Sequence, residues 1–135
     1  MIVLDTSFLV AYHNRTDVHH DRARSVMSRF LSEEWGEGLL LEYVFLEVVT
    51  VIQARLDLGS AVRVGDQLLG ARELEFLPCS EIFLPAMETF RLQSPGGLSF
   101  VDAAIATVAR KRPPGYVATF DRGFEGLDGI TVVAE

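Results

Sequence analysis

Cysteine occurs once, as Cys79, so no internal disulfide can form, and without Cys or His partners at ligand spacing it makes no zinc site. It reads as a small buried apolar residue. Lysine is as scarce: Lys111 is the only one among 12 basic residues, the rest being Arg. Against 19 Asp and Glu these leave a net charge of −7, which excludes a protein that grips nucleic acid by bulk basic charge. Any such binding must be local. Long apolar runs are missing too. The longest, Leu39 to Ile52, spans 14 residues and carries Glu42 and Glu47, too short and too polar for a bilayer. The first residues contain neither a basic leader nor a small-residue cleavage site, so the expected location is the cytoplasm. No Gly-x-x-x-x-Gly-Lys-Ser/Thr or Gly-x-Gly-x-x-Gly run is present, which removes the common phosphate cradles.

What remains is a chain of 135 residues, 49% hydrophobic, with mean hydropathy +0.25. That length suits one domain, residues 1–135, burying roughly two thirds of its unfolded surface. The apolar content suggests a surface for self-association. Two basic clusters, Arg22, Arg24 and Arg29, then Arg110, Lys111 and Arg112, read as solvated helix faces rather than RNA contacts.

Apolar runs and breakers alternate along the chain. Ile2 to Leu4 form a strand ending at Asp5, and Thr6 and Ser7 open a helix to about Tyr12. Asp17 can cap a helix from about Val18 to Glu33, ended by Gly36 and Gly38. Leu39 to Leu41 make a second strand, and Tyr43 to Asp57 a helix stopped by Gly59. Ser60 can cap a further helix to about Arg72, before a strand at Leu74 to Leu77. A helix from Ser80 to Leu92 and the loop Ser94-Pro95-Gly96-Gly97 follow, then a helix capped by Ser99 and running to about Arg112. Tyr116 to Phe120 and Ile130 to Val133 complete five strands. Strands alternating with helices and lacking hairpin signals predict an α/β fold with a parallel sheet covered on both faces.

In such a sheet ligands bind beyond the carboxyl ends of the strands, where Asp5 and Asp121 both fall. Asp5 can also serve as a helix cap, and Asp121 as a turn residue in Asp-Arg-Gly-Phe. Asp102, three residues after Ser99, fits a capping box, yet its first-turn position also favours an ionised carboxylate on the same edge. Glu47 is a charge within an apolar helix; it belongs either to a polar strip with Thr50 and Gln53 or to a metal site. Glu42 competes for that role but sits in a helix's first turn. Four carboxylates together repel by a few kcal/mol per close pair. Their oxygens suit Mg²⁺ or Mn²⁺, which leaves positions for a substrate phosphate and points to phosphodiester hydrolysis. On a chain of this charge, RNA can approach only a metal-loaded pocket. His13 has no assigned role, and the adjacent His19 and His20 after Asp17 read as a solvated first helix turn rather than ligands.

The segments MIVLDTSFLVA, LEVV, LSFVDAAIA and ATFDRGFEG, in that order, resemble the PIN-domain nucleases, and by size the toxin subunits of the VapBC type. The resemblance spans essentially the whole chain. It implies a three-layer α/β/α fold with a parallel sheet of about five strands, and an acidic site of Asp5, Glu47, Asp102 and Asp121. It further implies hydroxyls near the metal from Thr6 or Ser7 and Thr119, and Mg²⁺- or Mn²⁺-dependent endoribonuclease activity. A homodimer and a cognate antitoxin partner are also implied. Asp5 and Asp102 are expected as principal ligands, with Glu47 and Asp121 acting through water or on a second ion. A haloacid-dehalogenase-type phosphatase would need a second Asp at position 7, where Ser7 stands, and a receiver domain a Lys after a late strand. The remaining rival is a non-catalytic PIN-like module that binds RNA or protein.

Overall fold

The computed structural model describes residues 1–133. Its centre is a sheet of five parallel strands, β1 (Ile2–Leu4), β2 (Gly38–Leu41), β3 (Leu74–Leu77), β4 (Tyr116–Ala118) and β5 (Thr131–Val133), in the order β3-β2-β1-β4-β5. β1 and β2 are buried on both faces, which is why they read as unbroken apolar runs, whereas β3 at the edge exposes Glu75 and Phe76. Gly38 opens β2 because a Cβ there would stand 2.7 Å from the ring of Phe30 and 2.8 Å from Leu74.

Six helices cover the sheet: α1 (Thr6–His13), α2 (His20–Leu31), α3 (Glu42–Arg55), α4 (Leu58–Gly70), α5 (Cys79–Leu92) and α6 (Phe100–Arg110). The strand order dictates their sides. Steps from β1 to β2 to β3 run one way and the step from β3 to β4 runs back past β1; right-handed crossovers therefore put α1–α4 on one face and α5–α6 on the other. The packing agrees. α1 lies against α2 and α3, and α3 against α4 and β2, while α5 lies against α6 and α6 against β1 and β4. This is the expected three-layer α/β/α arrangement. The reversal of strand order falls between β1 and β4, directly beneath the residues that follow each strand.

Several boundaries move from their sequence-based positions. The second helix begins at His20, not Val18, because Asp17 Oδ1 accepts the amide of His19 at 2.9 Å and so holds a turn ahead of it. Gly59 does not stop α3; it lies inside α4. The cap of α4 is Asp57, whose carboxylate accepts the Ser60 amide at 2.7 Å, rather than Ser60 itself. β4 ends at Ala118, so Thr119 and Phe120 lie beyond the strand, next to the site. Cys79 is half-buried at the start of α5 rather than fully buried, with its thiol pushed above the usual range by burial and then by the Glu42 carboxylate. Among the described residues no helix is long and apolar enough to cross a membrane.

Candidate active site

Asp5 stands immediately after β1 at the N-cap position of α1, yet its side chain makes no cap hydrogen bond. The carboxylate turns instead across the switch point. Oδ2 accepts the hydroxyl of Thr119 at 2.7 Å and that of Ser7 at 2.9 Å. With 4% of its surface exposed, Asp5 is among the few buried charged groups, and its pKa is raised to about 6. Burial is the main cause, opposed by the Thr119 and Ser7 hydroxyls and reinforced by the charge of Asp102.

The other three acids reach the same cleft from different elements. Asp102 completes the capping box of α6: the Ser99 hydroxyl accepts the Asp102 amide at 3.1 Å, and Asp102 Oδ2 accepts the Ser99 amide at 3.1 Å. Its pKa is nevertheless raised, chiefly by burial and further by Asp121 and Glu47. Cap and cleft residue are thus one and the same side chain. Asp121 follows β4, with Oδ1 accepting the Gly123 amide at 2.8 Å. Glu47 is exposed on α3, and its Oε1 accepts the Thr6 hydroxyl at 2.6 Å, tying α3 to α1 over the cleft. Exposure explains how the apolar helix tolerates the charge. Glu42 points elsewhere: its Oε1 accepts the Cys79 amide at 2.8 Å at the start of α5.

The resulting cleft holds about 510 Å³ and is lined by Asp5, Thr6, Ser7, Glu47, Asp102 and Asp121, together with Asp17, His19, Arg55 and Ser99. Thr119 does not line it. Fully buried beneath, its hydroxyl donates to Asp5 and accepts the Asp121 amide at 2.9 Å, so one side chain sets the spacing of two acids. The Ser7 hydroxyl likewise accepts the Phe120 amide at 2.9 Å. Among the described residues, no three His, Cys, Asp or Glu side chains are clustered tightly enough to hold one ion as they stand; the acids surround an open cleft rather than a closed cage. Their chemistry still fits a hard cation. All four donors are carboxylates, and the causes of the Asp5 and Asp102 shifts include burial and like charge with no cation to offset them.

Four polar lining residues, Asp17, His19, Arg55 and Ser99, are not marked as site residues by the sequence, nor are the apolar Val10 and Val51. Asp17 had been assigned to a cap, and it also meets Arg55 of α3 at 3.8 Å. The sequence places His19 in a solvated first turn. Its ring instead stacks on Phe120, with centroids 4.6 Å apart and planes 15° from parallel, and Arg22 contacts its Nδ1. His20 is also engaged, its Nδ1 lying 2.8 Å from the carbonyl of Ala11, and burial lowers the pKa of His13 to about 4. The first basic cluster is similarly not a plain solvated face: Arg22 lies over Phe120 and Arg29 over Trp35. In the second, Arg110 donates to the carbonyl of Asp128 at 2.9 Å.

A parallel sheet in this order, with acids gathered at its switch point, defines a three-layer α/β/α domain with an acidic cleft. The chain belongs to the PIN domain family, whose model matches residues 2–130. Among solved structures it is similar to the Mycobacterium tuberculosis toxin VapC20, described as cleaving the sarcin-ricin loop, with TM-score 0.78 and 22% identity over 96% of this chain and 98% of that one. It is also similar to VapBC2 from Rickettsia felis, solved bound to a DNA fragment from its promoter, with TM-score 0.69 and 16% identity over 100% of this chain and 99% of that one. At these identities the likeness is one of fold. No curated protein matches the chain by sequence.

Proposed function

We propose that the chain is a Mg²⁺- or Mn²⁺-dependent endoribonuclease, the toxin of a cytoplasmic toxin–antitoxin pair. The observation that carries the reading is Asp5, a buried carboxylate with no ion pair among the described residues, sharing its cleft with Glu47, Asp102 and Asp121. Asp5 and Asp102 are the principal ligands, with Glu47 and Asp121 acting through water or on a second ion. When bound, the cation supplies acidification of a water and neutralisation of phosphate charge. Ser7 and Thr119 fix the direction of the Asp5 carboxylate, Thr6 restrains Glu47, and the capping box restrains Asp102. The cleft presents these oxygens to an RNA phosphodiester. Water adds at phosphorus and the 3′ oxygen leaves with a proton, giving 5′-phosphate and 3′-hydroxyl ends.

Membership of the PIN domain family and the fold shared with VapC20 and VapBC2 support both the activity and an antitoxin partner. Exposed Leu58, Val62 and Leu69 on α4 and Phe83, Leu84 and Leu92 on α5 support assembly with a second copy of the chain and with that antitoxin. The test is sequencing of RNA ends after incubation of total RNA with the protein and Mg²⁺ or Mn²⁺, beside Asp5→Asn and Asp102→Asn controls. New ends bearing 5′-phosphates are expected with the unaltered chain alone. Ends that do not differ from the controls would favour the rival reading, a PIN-like binding module. Thermal melting separates the two independently, since Mn²⁺ should raise the Tm of the unaltered chain and not of Asp5→Asn.

A further inference from the structure

Besides carboxylates, the cleft is lined by the imidazole of His19 and by the guanidinium of Arg55, which meets Asp17 at 3.8 Å, with Arg22 just outside. His19 lines the cleft, while Phe120 stacks on the imidazole and does not line it. The phenyl ring therefore backs the imidazole. Phe120 is itself anchored: its ring meets Phe8 of the core at 6.3 Å, its amide is held by Ser7, and it directly precedes Asp121. His19 is fixed as well. Its amide is held by Asp17, and Arg22 contacts Nδ1. Arg22 also lies over the Phe120 ring, 5.0 Å from its centroid.

A solvated histidine needs none of this support. A flat ring backed by an aromatic side chain, in the wall of the cleft whose carboxylates are proposed to hold a phosphate-binding cation, has the properties of a stacking platform for a nucleobase. Resting on the proposed ribonuclease activity, we infer that His19, backed by Phe120 and oriented by Arg22, forms a nucleotide subsite. It receives an unpaired base beside the scissile phosphate. A base inside a duplex is already stacked on its neighbours and cannot enter.

The experiment measures kcat and KM with Mn²⁺ on a short single-stranded oligoribonucleotide and on versions carrying one abasic site at each position in turn. His19→Ala should raise KM by between about fivefold and a hundredfold, the usual loss when an aromatic platform is removed, while His19→Phe should stay within about twofold of the unaltered chain. At one position beside the cleavage site, the abasic change should raise KM for the unaltered chain and leave His19→Ala unaffected. Partial misfolding would lower kcat rather than KM. An unchanged KM in His19→Ala, failure of His19→Phe to restore it, or additive effects at every abasic position would overturn the subsite while leaving the nuclease reading intact. Failure of the unaltered chain to cleave any RNA would overturn both.

Discussion

The hydroxyl of Thr119, just beyond β4, donates to Oδ2 of Asp5, just beyond β1, across 2.7 Å and 114 residues of chain. The same oxygen accepts the amide of Asp121. Thr119→Val keeps the shape and removes both functions, leaving a buried carboxylate short of a donor and a buried amide without an acceptor. A loss of about 1 to 3 kcal/mol is expected in urea unfolding at neutral pH, with cleavage also reduced. A change below about 0.5 kcal/mol would show that water replaces the hydroxyl and that the spacing is set elsewhere.

Asp5 makes stability depend on pH in an unusual direction. Its folded pKa of about 6 lies above the ordinary 3.8, so the folded state holds the proton more tightly. The associated stabilisation is complete below about pH 3.8 and is lost as pH rises through 6. In metal-free buffer with chelator, Asp5→Asn should therefore be more stable than the unaltered chain at pH 7.5, by on the order of 2 kcal/mol, with the difference vanishing near pH 4. Thermal melts across that range decide it, and an Asp5→Asn protein less stable at pH 7.5 would refute the account.

His13 works in the opposite sense. Burial lowers its pKa to about 4 from the ordinary 6.5, so the unfolded chain binds the proton first and the folded state loses stability as pH falls from about 6.5 towards 4. His13→Gln should narrow the gap between denaturation midpoints measured at pH 7 and pH 4.5. An unchanged gap would mean that the ring is hydrated in solution.

Glu42 and Glu47 lie five residues apart on α3 and should separate cleanly. Glu42→Ala leaves the Cys79 amide without its acceptor and is expected to cost about 1 kcal/mol with cleavage retained. Glu47→Ala, at an exposed position, should leave stability nearly unchanged and reduce cleavage by at least tenfold. The reverse pattern in paired unfolding and cleavage assays would reassign the acid.

The alternation of apolar runs and breakers in the sequence determined that strands and helices take turns, because burial on both faces leaves β1 and β2 no polar positions and a 3.6-residue period marks the helices. It also placed Asp5 and Asp121 at strand ends, and Ser99 with Asp102 at a helix start, since those are local relationships. Local signals were weaker where two polar residues competed for one cap. Asp57 displaced Ser60 by accepting the Ser60 amide and so starting the helix earlier, and Asp17 delayed α2 by holding the His19 amide in a turn. The rest needed the strand order. Only the reversal between β1 and β4 brings Thr119 under Asp5, only the packing of α3 on α1 turns Glu47 rather than Glu42 to the cleft, and only the path of the turn after α1 lays His19 on Phe120. These contacts join residues 41 to 114 apart in the chain, apart from the local geometry around them, and no short-range pattern encodes such distances.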